Sequence, residues 1–268
     1  MENNAYTKYK ALIKISLKNK LAWGWESILN SLILMLYAVI SIVVWIAVYS
    51  FTGVKDIRGI TLTSTIVYFA VISAMMPFTG SSDIAYQMED DIKDGSIGSS
   101  LIRPMPYYLK ILLEDLSDGS LNLFVTVPVI ALVIVLGELS PSLGAYAMFI
   151  LYFVFAYVII TLIGFIVGSL ALYLTDVYGI RISINWIITI FGGGILPLAF
   201  FPQYIERILL LTPFPFLAFV PSATLTGMIS LGESQELMIT AIAWIAILTG
   251  ISWILWRRMK LRINAVGV

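Results

Sequence analysis

Long uncharged apolar runs alternate with short polar clusters along the whole chain. The first run extends from Ser27 to Phe51, and the second extends from Ile60 to about Gly80. Because about 20 apolar residues cross the hydrocarbon core of a bilayer as a helix, each of these runs predicts one membrane span. Four further apolar runs are found at 121–136, 143–174, 184–201 and 237–256. The pattern therefore predicts an all-α, polytopic integral membrane protein with about six transmembrane helices.

Several of these runs contain helix-breaking residues or have an unusual length. Pro128 predicts a kink in the third run, because proline removes a backbone donor. The run at 143–174 is longer than a perpendicular crossing requires, so it predicts tilt or extension beyond the bilayer. The fifth run is interrupted near its end by Gly192, Gly193, Gly194 and Pro197. These residues indicate close helix packing or a break in the span.

The segment 202–236 is apolar but contains more prolines than a continuous span tolerates. They are Pro202, Pro213, Pro215 and Pro221. Irregular backbone at membrane depth occurs only where it is packed in protein or lines a water-filled cavity. We therefore predict an external re-entrant segment of short helices, packed at the outer membrane surface before the last span.

The polar N-terminal segment at 5–22 has the pattern of an amphipathic helix. Apolar and aromatic side chains recur at helical spacing at Tyr6, Tyr9, Ile13 and Leu17, beside a stripe of lysines at Lys10, Lys14 and Lys18. Such a helix lies in the membrane interface with its lysines toward lipid phosphates. Trp23 and Trp25 follow at the expected boundary. The alternative interpretation is a solvated basic tail.

The composition indicates that lipid is the solvent for much of the chain. Of 268 residues, 60% are hydrophobic and 12% are charged, whereas a soluble domain has about 45–50% apolar and about 25% charged residues. The chain contains no cysteine and no histidine. Disulfides, thiolate nucleophiles, zinc or haem ligation by these residues, and histidine acid–base catalysis are therefore excluded.

The distribution of basic residues predicts the orientation in the membrane. With the N-terminus in the cytoplasm and about six crossings, all but three of the 16 Lys and Arg residues lie on the cytoplasmic side. The three on the outer side are Lys55, Arg58 and Arg207. This bias follows the positive-inside rule, so we expect both termini to be cytoplasmic.

The predicted spans contain almost no ionisable side chains. Those near span boundaries are Asp83, Glu138, Asp176 and Arg181. Water access at the interface explains them, and the short loop between Asp176 and Arg181 would allow these two to pair. Ion-driven transport needs ionisable groups inside the spans, so an external energy source is favoured. The chain has no G-x-x-x-x-G-K-[ST], H-E-x-x-H or G-x-S-x-G motif, so it does not bind ATP through a P-loop.

The polar stretch at 81–119 is the most informative segment. In it, acidic residues lead into a Gly/Ser turn, followed by the apolar pair Leu101-Ile102 and the break Arg103-Pro104. One interpretation is a short helix with an exposed, partner-facing surface, and another is a polar connector. A third is a metal site formed by Glu89, Asp90, Asp91 and Asp94. Adjacent carboxylates on a helix point in different directions and the EF-hand spacing is missing, so a metal site is disfavoured.

One part of this loop resembles a known family. Its residues are Ile92-Lys93-Asp94-Gly95-Ser96, continuing through Leu101-Ile102-Arg103-Pro104. With the basic N-terminal helix, the six spans and the proline-rich segment, they resemble the permease subunits of ABC-2 type transporters. The resemblance is greatest to the small permeases found beside daunorubicin-resistance-type ATPases, and it covers 1–268 as a single transmembrane domain. One departure is the lead Asp91-Ile92-Lys93, where a Glu-Ile-Arg-like lead is common, although the charge pattern is kept.

The resemblance implies a role for each feature. The chain would form half of a dimeric pathway of an exporter in a prokaryotic plasma membrane, with an identical or sister permease as the other half. Two copies of a separate ATPase subunit would bind ATP and Mg²⁺, so this chain would be no enzyme and would hold no cofactor or metal. The segment 5–22 would be the elbow helix, with Tyr9, Ile13, Lys14 and Leu17, and the proline-rich segment would cap the pathway. The ATPase-coupling loop would comprise Glu89, Asp90, Asp91, Ile92, Lys93, Asp94, Gly95, Ser96, Leu101, Ile102 and Arg103.

Two other function classes are alternatives. An ion-coupled secondary transporter predicts pH- or sodium-dependent flux with this chain alone. A non-transport membrane immunity or regulatory protein predicts a binding partner at the acidic loop without flux. The uncharged pathway favours hydrophobic or amphiphilic cargo such as lipid, drug or peptide.

Overall fold

The computed structural model describes residues 24–79, 84–101, 106–120, 127–128, 130–131, 134–135, 140–174 and 176–266. The predicted interfacial helix at 5–22 and most of the third apolar run therefore lie outside the described residues. The described part is mostly helical, as predicted. Its helices are α1 (Gly24–Thr52), α2 (Leu62–Thr79), α3 (Ile84–Lys93), α4 (Ser96–Leu101), α5 (Tyr107–Ser120), α6 (Leu143–Ser169), α7 (Tyr178–Phe191), α8 (Gln203–Leu210), α9 (Phe219–Thr226) and α10 (Leu231–Val266).

Several of these helices have the length and apolar character of membrane spans. Among the described residues, three segments are long and apolar enough to cross a membrane: the one that starts at Leu62 and contains α2, and the segments Leu143–Leu172 and Leu231–Leu261. Shorter apolar helices lie at Leu36–Thr52 and Tyr178–Phe191. These segments fall in five of the predicted apolar runs, and a total of about six crossings stays a prediction.

A small hairpin joins α1 to α2. Its antiparallel strands are β1 (Asp56–Ile57) and β2 (Ile60–Thr61). Arg58 and Gly59 form the two-residue turn with φ of 55° and 79°, the two positive values that a type I′ turn needs. The Asp56 carboxylate accepts the Gly59 N–H at 2.9 Å. This hairpin is a small exception to the predicted helical architecture, which the described residues otherwise follow.

α6 is the central helix, and it packs against α3, α9 and α10. Its 27 residues carry no charge. A helix of this length extends about 40 Å, which exceeds the roughly 30 Å hydrocarbon core. Ser142 caps its start by accepting the Ala145 N–H at 3.2 Å. A 3-10 turn at Leu170–Leu172 follows its end, so the long run at 143–174 is one helix with a tightened last turn.

The described fragments of the third apolar run are helical at 127–128, 130–131 and 134–135. Ile134 is buried in one cluster with Val67, Val71 and Met75 of α2. This part of the third run therefore lies beside α2, while the full length of the run and the kink at Pro128 stay predictions.

The helix in the fifth apolar run begins earlier than predicted. α7 starts at Tyr178 and not at Ile184, because the Asp176 carboxylate accepts the Tyr178 N–H at 2.6 Å at the start of the helix. α7 ends at Phe191, before the three glycines, so the predicted break is present. With 14 residues, α7 extends about 21 Å and is too short to cross the hydrocarbon core without the segment that follows it.

The proline-rich segment forms α8 and α9, with 3-10 turns at Leu198–Phe200 and Phe214–Leu217. All the residues of α9 are buried, and this helix packs against α6 and α2. Gly227 ends α9 with a φ of 74°.

A capping box then starts α10. The Ser230 N–H donates to the Glu233 carboxylate at 2.8 Å, and the Glu233 N–H donates to the Ser230 hydroxyl at 3.2 Å, so two end groups of the helix are satisfied reciprocally. α10 has 36 residues. It therefore begins before the predicted span at 237–256 and continues through the basic tail.

Candidate functional site

The acidic segment after α2 folds into α3, α4 and α5, which lie against one end of α6 and α10. α3 turns one face inward; the buried residues on this face are Ile84, Ala85, Met88 and Glu89. An apolar cluster joins the short helices to Phe165 of α6 and Met259 of α10, and its other buried members are Ile84, Met88, Ile97, Tyr107 and Ile111. The candidate coupling loop is therefore attached directly to two helices that are long and apolar enough to span a membrane.

Trp256 of α10 lies where these helices meet. Its ring stacks on Tyr107 of α5, with centroids 5.4 Å apart and an interplanar angle of 6°. It also packs edge to face against Phe165 of α6, with centroids 5.8 Å apart. Aromatic pairs of this kind contribute about 0.5–1.5 kcal/mol beyond the burial of their area. Trp256 thus connects the start of α5 to both α6 and α10.

Asp91 on α3 connects the three short helices by hydrogen bonds. Its carboxylate accepts from the Ser96 hydroxyl of α4 and from the Tyr107 hydroxyl of α5, each at 2.8 Å. The Lys110 ammonium lies 3.5 Å from the same carboxylate. Burial, together with the nearby Asp91 charge, raises the pKa of Tyr107 well above its usual range. Tyr107 therefore stays a neutral hydrogen-bond donor at physiological pH.

Glu89 lies inside the segment, with only 5% of its surface exposed. The Lys93 ammonium donates to its carboxylate at 2.6 Å, and the buried N–H of Val177 donates to the same oxygen at 3.4 Å. Glu89 therefore joins α3 to the residue that precedes α7.

The charged outer part of the segment is the turn between α3 and α4. Gly95 follows α3 with a φ of 77°, and the Asp94 carboxylate accepts the Ser96 N–H at 2.8 Å at the start of α4. This hydrogen bond holds the pKa of Asp94 below its usual range. Asp90, Lys93 and Asp94 are all exposed, so they form the surface that a partner can reach.

Among the described residues, the four carboxylates considered as a metal site are not arranged to hold an ion together. Glu89 and Asp91 have separate partners within the segment, whereas Asp90 and Asp94 are exposed. The arrangement is that of a small helical unit held together internally, with a charged turn on its outside.

The remaining predicted residues of the coupling loop lie at its margins. Ile92 is half-buried and packs against the main apolar core, and Leu101 ends α4. The residues outside the described part are Ile102 and Arg103 of the loop and Tyr9, Ile13, Lys14 and Leu17 of the elbow.

A second polar site lies at the end of α7, where the glycines 192–194 interrupt the helix. Each of the three glycine carbonyls accepts a hydrogen bond from a different element. The Phe219 N–H of α9 donates to the first at 2.9 Å, the Tyr68 hydroxyl of α2 donates to the second at 2.8 Å, and the Tyr37 hydroxyl of α1 donates to the third at 2.6 Å. Unpaired backbone groups are costly where water is absent, so these three donors stabilise the break.

Sequence reasoning did not identify Tyr37 and Tyr68. Each lies within an apolar run, where a tyrosine counts as one more large apolar residue. The acceptor of Tyr37 is 157 residues away along the chain, and that of Tyr68 is 125 residues away. Only a combination of features could have found them: a buried tyrosine needs an acceptor, and a glycine break leaves carbonyls without helical partners.

The four prolines occupy positions that need no N–H donor. They are Pro202 before α8, Pro213 before the second 3-10 turn, Pro215 within that turn and Pro221 in the first turn of α9. Proline is tolerated at such helix starts because the N–H there has no helical partner. Pro202 is exposed and the other three are buried.

Asp176 and Arg181, which the sequence would allow to pair, form no ion pair with each other in the described part of the chain. Asp176 accepts the Tyr178 N–H, whereas the Arg181 guanidinium lies 5.2 Å from the ring centroid of Tyr86 and 5.5 Å from that of Tyr178. The early start of α7 places Arg181 on the helix, where it faces these rings. The other two boundary carboxylates, Asp83 and Glu138, lie outside the described residues.

The model of a protein family described as ABC-2 family transporter protein matches residues 34–262 of the chain. The match includes the unit formed by α3, α4 and α5, the glycine break and the proline-rich segment. No curated protein matches the chain.

Proposed function

The chain belongs to the ABC-2 transporter family, and we propose that it is the permease subunit of an ATP-binding cassette exporter whose ATPase is a separate chain. In this proposal two permeases, identical or sister subunits, form the pathway, and two ATPase subunits bind ATP and Mg²⁺. The permease crosses a prokaryotic plasma membrane about six times, with both termini in the cytoplasm. We place it with the permeases found beside daunorubicin-resistance-type ATPases.

The observation that carries the proposal is the attachment of the acidic segment to α6 and α10. A coupling element needs a surface that a partner can reach and a stiff connection to the helices that move. The turn at 93–95 supplies charged exposed groups. Asp91 holds α3, α4 and α5 together, and Trp256 packs against α5 and α6. A force applied at the turn therefore reaches two long apolar helices through buried contacts.

The described helices favour an external energy source over ion coupling. α6 is uncharged, Arg181 lies near the start of α7, and the charged residues of α10 lie toward its two ends. Ion-coupled transporters use ionisable groups in the middle of their spans. The sequence contains no P-loop motif, which supports the proposal that ATP is hydrolysed by a partner chain.

The glycine break supports a role for the proline-rich segment at the outer part of the pathway. The hydrogen bond from Phe219 to Gly192 joins α9 to α7, and Tyr37 and Tyr68 join the same break to α1 and α2. Movement of these helices is therefore communicated to α9, which in this proposal belongs to the external re-entrant cap.

Charge reversal on the exposed turn tests the proposed ATPase contact. The full-length permease is expected to co-purify with its ATPase partner and to stimulate ATP hydrolysis. Asp94→Lys is expected to reduce this stimulation by about tenfold or more, because a wrong charge at a docking surface faces like charge on the partner. The measurement is the ATPase rate of the complex in proteoliposomes, together with the amount of ATPase retained on the purified permease.

Two control variants separate docking from local folding. Asp94→Asn keeps an oxygen that accepts the Ser96 N–H, so it is expected to preserve α4 and most of the stimulation. Gln203→Lys adds a positive charge at an exposed position on α8 and is expected to have no effect. Unchanged stimulation in Asp94→Lys, or an equal loss in Gln203→Lys, would contradict the docking role. Flux that depends on pH or sodium in vesicles containing this chain alone would favour an ion-coupled transporter instead.

A further inference from the structure

The last turns of α10 carry a concentrated positive charge. The helix is uncharged over 237–256 and has no acidic residue after Glu236. Four basic residues then follow within six positions: Arg257, Arg258, Lys260 and Arg262. The first three are exposed, and among the residues that the structure describes no carboxylate lies within ion-pair distance of them. The described part of the chain therefore does not neutralise this charge.

The two faces of this end of α10 have different surroundings. The inward face carries the buried Met259 and the ring of Trp256, which stacks on Tyr107 of α5. The outward face carries Trp253, with 53% of its surface exposed, and the Arg257 guanidinium lies 3.6 Å from the centroid of that ring. The same helical turns therefore hold the candidate coupling segment on one side and present cations and an indole ring on the other.

Lys260 links the two faces. Its ammonium lies 5.6 Å from the ring centroid of Trp256, and cations are attracted to aromatic faces at such distances. Trp256 stacks on Tyr107, whose ring centroid also lies 5.8 Å from the Lys110 ammonium. The Tyr107 hydroxyl donates to Asp91. A series of contacts therefore leads from an exposed cation to the carboxylate that joins α3, α4 and α5.

The outward side of α10 follows the depth profile of a lipid leaflet. Its exposed side chains are first apolar, at Ile239, Ile247 and Ile254. Trp253 comes next, and tryptophan is enriched at the membrane–water boundary. The basic residues then lie where headgroup phosphates begin. A symmetric contact with a second copy of the chain through this end would bring the same cations together, which is unfavourable, so the charge favours an anionic lipid surface.

We propose that the outward face at the end of α10 binds anionic phospholipid headgroups through Arg257 and Lys260, and that this contact steadies the stack of Trp256 on Tyr107. Guanidinium groups form paired hydrogen bonds with phosphate oxygens, and clusters of basic residues directly after a membrane span bind anionic leaflets. The headgroup surface needs only that the chain spans a membrane. Its effect on coupling rests on the function proposed above, in which α3, α4 and α5 contact the ATPase.

Photo-crosslinking of the full-length permease tests the headgroup contact. The chain is placed in phosphatidylcholine nanodiscs that contain a small fraction of phosphatidylglycerol or phosphatidylcholine with a diazirine on the headgroup, and labelling of 253–262 is measured by peptide mass spectrometry. Phosphatidylglycerol is expected to label this region about 25-fold more, because each of two basic side chains near an anionic surface contributes about fivefold. Arg257→Gln/Lys260→Gln is expected to abolish the preference, whereas the swap Arg257→Lys/Lys260→Arg is expected to keep most of it.

The matched control removes two exposed cations elsewhere. Lys55→Gln/Arg207→Gln changes the net charge equally, at exposed positions in the hairpin loop and on α8, and is expected to leave the labelling of 253–262 unchanged. An equal loss in this control would overturn the proposal, because the preference would then reflect net charge alone. Equal labelling by both lipids in the unmodified chain would overturn it as well, and protection of 253–262 by the ATPase partner in that case would assign the surface to a protein contact.

Hydrogen exchange tests the effect on the coupling segment. Exchange across 107–111 is expected to be about fivefold slower in nanodiscs rich in phosphatidylglycerol than in pure phosphatidylcholine, the factor for the single contact at Lys260. Lys260→Gln is expected to remove this difference, and Lys55→Gln is expected to keep it. Lipid-independent exchange in the unmodified chain would reject the effect on the Trp256 stack even where labelling shows the headgroup contact. Both measurements use the permease alone, so their outcome is separate from that of the proposed ATPase contact.

Discussion

Gly193→Ala is expected to destabilise the folded protein by about 4 kcal/mol, through strain, collision and a lost hydrogen bond acting at one position. Gly193 has a φ of +87°, and an added Cβ would lie 2.6 Å from the Tyr68 hydroxyl oxygen, 3.0 Å from Phe219 Cβ and 3.1 Å from a Leu198 methyl carbon. That tyrosine hydroxyl is the donor to the carbonyl of Gly193. Relieving the collision therefore leaves a buried carbonyl without its partner.

Gly227→Ala is the matched control for backbone strain. Gly227 has a φ of +74° and nothing within 4 Å of an added Cβ, so only the left-handed strain of about 1–2 kcal/mol is expected. Thermal melting in detergent and the yield of monodisperse protein compare the two variants. Equal losses of stability in Gly193→Ala and Gly227→Ala would contradict the argument that collision and the lost hydrogen bond add to backbone strain at Gly193. Tyr68→Phe is expected to fall between them, because it removes the hydroxyl and leaves the ring in place.

The long helices could be predicted from the sequence because apolar length is a local property. α6 follows directly from the uncharged run at 143–174, and α1, α2 and α10 contain most of the first, second and last runs. The start of α7 was missed because its first turn includes Gly179 and Arg181, which resemble a polar loop until Asp176 is seen to accept the Tyr178 N–H. The hairpin was missed because its strands have two residues each and depend on the turn, not on alternation.

The candidate coupling segment could be predicted as a short helical unit, but its interior could not. The acidic cluster indicated an exposed surface, yet Glu89 is buried. Its backbone partner Val177 lies 88 residues further along the chain, so the local sequence does not reveal this contact. Asp91 likewise acquires its role from Tyr107 and Lys110 on another helix. A pattern of neighbouring carboxylates cannot show which of them will find distant donors, so Asp90 and Asp91 look equivalent in the sequence and differ in the structure.

Asp91→Ala is expected to uncouple the short helices from one another and to reduce ATPase stimulation by about tenfold or more. The substitution removes the acceptor of the Ser96 and Tyr107 hydroxyls and the nearer of two carboxylates that lie close to the Lys110 ammonium. A hydrogen bond to a charged group contributes about 1.5–3 kcal/mol, and about 1.4 kcal/mol corresponds to a factor of ten in an equilibrium constant. The packed arrangement of α3, α4 and α5 is therefore expected to lose most of its free-energy advantage over an arrangement in which the three helices have separated.

Asp90→Ala is the control, since Asp90 is the adjacent carboxylate and is exposed. Hydrogen-exchange mass spectrometry of the full-length protein is expected to show faster exchange across 92–100 in Asp91→Ala but not in Asp90→Ala. ATPase stimulation in the reconstituted complex is expected to follow the same order. Faster exchange with unchanged stimulation would retain the structural role of Asp91 and reject the coupling role of the segment. Unchanged exchange would reject the structural role itself, because a carboxylate that holds three helices together cannot be removed without loosening them.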